Sequence, residues 1–320
     1  MTASVAIATT KSSTRWRAYA ALAVGVACIG WSAIFVKWAG VPGSASAFYR
    51  AFFAFLILAP LALRSARQRA HQRAGALPRA ALWLAILAGL FFAGDLAMYN
   101  SAILLTSATN ATLLGNNSPV IVALVAWFLF GSRPGSIYWI GLAIAMLGTV
   151  AIVGVDIFAH PSFGLGDLLA SLASVCFSGY LVAVEQVRTR ARVDTLTLTT
   201  ITVGVTAAAC LVIALVMRTP LTGYSLSAWS SLLALGLVCQ VGGYLALTYA
   251  LGRLPATLTS VGLLVQAPLT ALLAVPLLHE SLSAAQILGG ALVLGGVYLV
   301  NAAGSTPTRA TSEYPVPERA

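Results

Sequence analysis

The chain has 320 residues, of which 59% are hydrophobic and 8% charged, against roughly 25% charged in soluble domains. Its 18 Lys and Arg outnumber its 8 Asp and Glu, giving a net charge of +10. This composition leaves no room for a soluble catalytic domain and makes the basic charge a matter of membrane topology before nucleic-acid binding.

A bilayer crossing needs about 20 apolar residues, and ten such runs follow one another at 18–38, 44–63, 81–104, 108–130, 137–155, 167–187, 195–217, 229–251, 256–278 and 284–302. Lipid satisfies no backbone polar group, so each run is predicted to be a helix. The period-two alternation of a membrane barrel is absent. The fold class expected is an all-α integral membrane protein with ten transmembrane helices.

The first run follows a basic arm (residues 1–15) and ends near Ala45-Ser46-Ala47, which imitates a secretory signal and its cleavage site. The stretch from Ala18 to Trp38 is too long for a signal's apolar region and is read as helix 1. Helix 2 opens with Phe48-Tyr49-Arg50-Ala51, and Arg50, one or two turns in, is a charge in a costly place, with snorkelling outward as one reading. Helix 3 carries Asp95 and Tyr99 four residues apart, then Asn100 and Ser101. A carboxylate at mid-helix costs about 2.5–3.5 kcal/mol on insertion scales. Asp95 is therefore expected to be protonated, paired or wetted by a cavity, with a role in proton coupling as one reading.

Helix 4 places Asn110 and Asn117 seven apart, with Thr109, Thr112 and Asn116 on an adjacent stripe and Pro119 near its midpoint. Helix 5 sets Gly141, Ala145 and Gly148 along one side. After a linker at 156–166, helix 6 carries Glu185 near its end, where Arg188 or Arg192 is the expected partner. Helix 8 offers Gln240 and Tyr244 at the helix-3 spacing, then Thr248 and Tyr249, with Gly242-Gly243 giving room. Helix 9 holds Thr259, Gln266 and Thr270 on one side and Pro268 at its midpoint. Gly289-Gly290 and Gly295-Gly296 match the small residues of helix 5 on helix 10, so these two helices are expected to approach closely. The tail at 303–320 reads as disordered. Cys28, Cys176, Cys210 and Cys239 lie inside apolar runs with no metal-like spacing, and neither a metal nor a cofactor is expected.

The chain is written twice. Ala108 matches Ala256, Gly141 matches Gly289 and Gly148 matches Gly296 at an offset of about 148, while Trp31-Ser32-Ala33 lines up with Phe177-Ser178-Gly179. Residues 16–155 and 167–302 each hold five runs, and an odd number of crossings inverts the second copy. Counting the amino-terminal end as cytoplasmic puts 15 of the 18 basic residues on that side. Both termini are therefore expected in the cytoplasm and the protein in the inner membrane. Inverted repeats are a signature of transporters that open a central site to alternate sides.

The polar stripes of helices 3, 4, 8 and 9 form two equivalent pairs, best explained by one solute cavity lined by Tyr99, Asn110, Asn116, Asn117, Gln240, Tyr244 and Gln266. Proline removes a backbone hydrogen bond at mid-depth in both copies, which a membrane tolerates where a cavity or neighbour satisfies the freed carbonyl. Amides and hydroxyls on an apolar wall suit a small zwitterionic or amphipathic solute rather than an ion filter.

Phe48-Tyr49-Arg50-Ala51, the Asn100-Ser101-Ala102 and Thr248-Tyr249-Ala250 helix ends, Ala108–Pro119 with Ala256–Pro268, Leu278-His279-Glu280 and the glycine-rich last helix give the chain a recognisable pattern. Over about 16–302 it resembles the drug/metabolite transporter superfamily, and within it the ten-helix EamA-type exporters of the YddG-like kind. The resemblance implies export of amino acids, aromatic ones included, and related metabolites; drugs or nucleotide sugars are the competing solutes. Ser132 stands where many members repeat the acid of Glu280, so a structural cap is the better reading of Glu280. His71, His160 and His279 all fall between the runs, without a HExxH or HxxxxD pairing, which argues against a membrane-embedded enzyme. A channel is the remaining alternative from another class. The expected partners are a small-molecule solute and the bilayer, and a monomer is expected.

Overall fold

A computed structural model describes residues 2–71, 78–105, 114–153, 164–278 and 283–303. Among these residues there are helices and turns and no strand. Eight helical stretches are long and apolar enough to cross a membrane, and the shorter apolar helices at Ser118–Phe130 and Ser136–Ile152 bring the crossings to ten.

Span 1 is Thr2–Gly30 followed by Ser32–Ala39, with a break at Trp31; span 2 is Gly43–His71 and span 3 is Arg79–Leu105. Span 4 enters the described region at Leu114 and continues as Ser118–Phe130; span 5 is Ser136–Val153. In the second copy, span 6 is Leu165–Thr189 and span 7 is Thr195–Val216. Span 8 joins Leu226–Ala234 to Tyr244–Leu251 through a π-helical stretch, Leu235–Gly243. Span 9 is Ala256–Leu263 with Gln266–Leu278, and span 10 is Ala284–Ala303.

Local chemistry explains several of these boundaries. The Asp194 carboxylate accepts the Thr197 N–H at 3.0 Å and the Ser225 hydroxyl accepts the Ala228 N–H at 3.1 Å, each capping the first turn of a helix. Span 4 stops at Gly131, whose φ of 66° suits glycine and lets its N–H return to the last turn.

The two copies meet with the symmetry their sequences anticipate. Span 3 lies along spans 6 and 7, and in the mirrored relation span 8 lies along spans 1 and 2. Span 4 touches span 6 as span 9 touches span 1, while spans 2 and 7, 4 and 9, and 5 and 10 pair with their own equivalents. The fold is two inverted five-helix repeats.

Spans 5 and 10 show why glycine is needed at their crossing. A Cβ on Gly141 would stand 2.8 Å from the Gly296 carbonyl oxygen, and one on Gly296 would stand 2.4 Å from that of Gly141. Gly148 and Gly289 exchange the same relation at 2.5 and 2.6 Å. The helices touch backbone to backbone, as small residues on both faces permit.

Spans 4 and 9 are interrupted at equivalent places, Asn116-Asn117 and Leu264-Val265. Each interruption comes two to four residues before the midpoint proline, which has no N–H to return to the preceding turn. In span 9 the loss is met by tighter bonds, Val265 N–H to Gly262 O at 3.2 Å and Ala267 N–H to Leu264 O at 3.1 Å. The break in span 1 has no counterpart in span 6, which runs continuously through Phe177. Instead, the Thr270 hydroxyl of span 9 donates to the Gly30 carbonyl at 2.8 Å and satisfies the broken end.

Candidate functional site

The polar centre forms where spans 2, 3 and 8 meet. Arg50 does not snorkel outward: it is 7% exposed and points into the bundle. Its Nε–H donates to Gln240 Oε1 at 2.7 Å and a terminal nitrogen reaches Ser32 Oγ of span 1 at 3.4 Å. The guanidinium carbon lies 5.2 Å from the Tyr244 ring centre and 5.8 Å from that of Phe92. A cation this deep needs acceptors, ring faces and a counter-charge. Asp95 of span 3 lies within electrostatic reach of Arg50.

Span 8 reaches Arg50 through local geometry. Gln240 sits in the π-helical stretch, 1% exposed, and such stretches recur at functional sites. Gly236, in the same stretch, has no side chain to hold it away from span 2: a Cβ there would stand 2.9 Å from Phe53 Cβ and 3.3 Å from the Arg50 carbonyl.

Aromatic rings close the centre. Phe92 lies 4.9 Å from Tyr180 and 4.7 Å from Tyr244, centre to centre, and Phe177 extends the set 6.0 Å beyond Tyr180. One cation, one carboxylate, one amide and a group of rings thus converge from spans 2, 3, 6 and 8. That combination offers a zwitterion a partner for each charge and a face for an apolar side chain.

Gln240, Tyr244 and Asp95 therefore come together with residues the sequence reading did not select, namely Ser32, Phe92 and Tyr180, and with Arg50 turned inward. Tyr99 lies one turn from Asp95, half-buried, its ring 2.8 Å from where a Gly115 Cβ would be. Asn116 and Asn117, also half-buried, form the break of span 4, and Asn117 Nδ2 donates to the Leu114 carbonyl at 3.2 Å. Gln266 is half-buried at the start of the second segment of span 9, one turn from Thr270. Thr259 is fully buried and donates to the Pro255 carbonyl at 3.0 Å. Asn110, Thr109, Thr112, His279 and Glu280 lie outside the described residues.

Glu185 finds partners other than Arg188 and Arg192. Its carboxylate lies within electrostatic reach of Arg190 and of the Ala256 backbone at the start of span 9. Arg188 turns instead to the Thr248 carbonyl at 3.3 Å and the Val193 carbonyl. The four cysteines are unpaired, and Cys239 Sγ contacts the Cys28 carbonyl at 3.1 Å. No cluster of metal-ligating side chains occurs among the described residues.

A cavity of about 750 Å³ lies elsewhere, between spans 3, 4 and 6. None of the residues selected from sequence lines it.

Fold and site together define a polytopic membrane transporter built from two inverted repeats. The chain belongs to the EamA-like transporter family, whose model matches residues 16–154 and 164–302. It is similar to an uncharacterized transporter of Archaeoglobus fulgidus, 27% identical over 80% of this chain and 88% of that one. It also resembles the pseudopaline exporter CntI of Pseudomonas aeruginosa, 28% identical over 60% of this chain and 65% of the exporter. A solved crystal structure superposes with a TM-score of 0.73 at 22% identity, over 91% of this chain and 98% of that one, which is a likeness of fold.

Proposed function

We propose that the protein exports small zwitterionic solutes, amino acids with aromatic ones among them, across the bacterial inner membrane. Both termini face the cytoplasm, and the two repeats exchange conformations so that one central site opens to each side in turn. The observation that carries this reading is Arg50, held at the bundle centre by Gln240 and ring faces, with Asp95 within electrostatic reach. The solute carboxylate approaches Arg50, its ammonium group approaches Asp95, and its side chain meets Phe92, Tyr180 and Tyr244. Tyr99, Asn116, Asn117 and Gln266 supply hydrogen bonds along the path. A relative named as an exporter supports the direction of transport.

Inside-out membrane vesicles containing the protein test this with a panel of labelled amino acids. Saturable accumulation of zwitterionic amino acids, strongest for aromatic side chains, is expected. Vesicles that accumulate drugs or nucleotide sugars and no amino acid would overturn the assignment. Asp95→Asn should abolish the response of transport to an imposed pH gradient while solute exchange persists. An unchanged response would remove Asp95 from coupling and favour movement driven by the solute gradient alone.

A further inference from the structure

The 750 Å³ cavity is a groove in the outer face of the bundle, not part of the polar centre. Its walls are Leu87 and Phe91 of span 3, Val125 and Leu129 of span 4, and Val175 and Val182 of span 6. Leu129 is 72% exposed, Val175 47% and Leu87 42%, so the rim faces outward along its length. From Val175 to Arg190 the groove follows about 22 Å of helix at 1.5 Å per residue, longer than the roughly 15 Å of one hydrocarbon leaflet. At one end its lining changes character, to Pro78, Gln186, Arg190 and Ala191.

That end is basic. Arg190 is exposed, with its guanidinium 5.5 Å from the Phe130 ring centre, and Arg79 and Arg192 flank lining residues in the chain. No carboxylate lines the groove. Glu185 lies within electrostatic reach of Arg190 but does not line the groove.

We propose that this groove binds one anionic phospholipid, an acyl chain lying along spans 3, 4 and 6 and the headgroup phosphate meeting Arg190. Apolar walls match the chain, and basic pockets between membrane helices match anionic headgroups. Zwitterionic lipids, whose headgroup charge is balanced, gain less at the same mouth.

The protein, reconstituted in bilayers of phosphatidylglycerol and phosphatidylcholine in equal parts and released in mild detergent, tests this by native mass spectrometry. Wild type should retain phosphatidylglycerol in preference to phosphatidylcholine. Arg190→Gln should remove that preference, and Val175→Trp, which fills the groove, should lower retention of both lipids at least fivefold. Thermal melting checks that each variant is folded; should Val175→Trp not fold, Arg190→Gln decides alone, because its side chain is exposed. Equal retention of the two lipids by wild type, or an unchanged preference in folded Arg190→Gln, would overturn the proposal. Displacement of the lipid by a transported solute would also overturn it, by making the groove a solute site.

Discussion

A guanidinium among apolar helices is stable only when its charge is answered on several sides, and Arg50 has Gln240, Ser32 and two ring faces to do so, with Asp95 within electrostatic reach. Removing one buried partner leaves the other unsatisfied, at a cost of about 1–3 kcal/mol. Gln240→Leu should therefore slow transport about tenfold or more at unchanged expression, since 1.4 kcal/mol is a factor of ten. Asn117→Leu and Gln266→Leu should weaken transport by a similar factor if both side chains meet the solute; normal rates in vesicles would remove them from the path. Half of this centre was legible in the sequence. Gln240, Tyr244 and Asp95 announced themselves because polar residues are rare in apolar spans. Phe92 and Tyr180 did not, because an aromatic residue in such a span reads as ordinary lipid-facing or core material. Arg50 misled for a different reason: long basic side chains usually reach for the interface, and only the partners on spans 1, 3 and 8, distant in sequence, draw this one inward.

At the scale of the helix, glycines and breaks matter more than polarity. The Gly141–Gly296 and Gly148–Gly289 contacts leave no space for a methyl group, because each Cβ would meet a backbone oxygen at 2.4–2.8 Å. Overpacking of this sort costs about 1–3 kcal/mol. Gly148→Ala or Gly289→Ala should lower the yield and melting temperature of the purified protein while transport per folded molecule is kept. Full stability in both variants would contradict the seam as described. Thr270→Val removes the hydrogen bond to the broken end of span 1, and interhelical bonds of this kind in membranes are worth about 0.6–1.7 kcal/mol. A small drop in melting temperature is expected there, with a larger effect on transport if the break moves during the cycle. The seam was readable from glycine spacing, and the interruptions of spans 4 and 9 from their prolines. The break at Trp31 was not, because nothing in Gly30-Trp31-Ser32 signals it; a hydroxyl 240 residues away supports it.

For the whole molecule, ten crossings and two copies were visible in composition and repeat alone, since lipid forces apolar runs into helices and leaves few alternatives. Pairing between the copies follows their equivalence in the fold. The groove between spans 3, 4 and 6 was invisible, because apolar residues lining a void look like apolar residues facing lipid. Orientation rests on the basic residues: a cysteine at position 70, in a background with Cys28, Cys176, Cys210 and Cys239 replaced, should resist impermeant reagent in intact cells and react in inside-out vesicles. Labelling from outside would reverse the topology.

The central claim is that one buried site, built around Arg50, serves both faces of the membrane in turn. Counterflow in proteoliposomes tests it most directly, because a carrier exchanges solute across the membrane and a continuous pore cannot concentrate label by exchange. Liposomes loaded with unlabelled amino acid should take up labelled amino acid transiently above its external level, and Arg50→Gln should lose this overshoot while remaining folded. Equilibration without an overshoot, or an overshoot undiminished in Arg50→Gln, would contradict the claim.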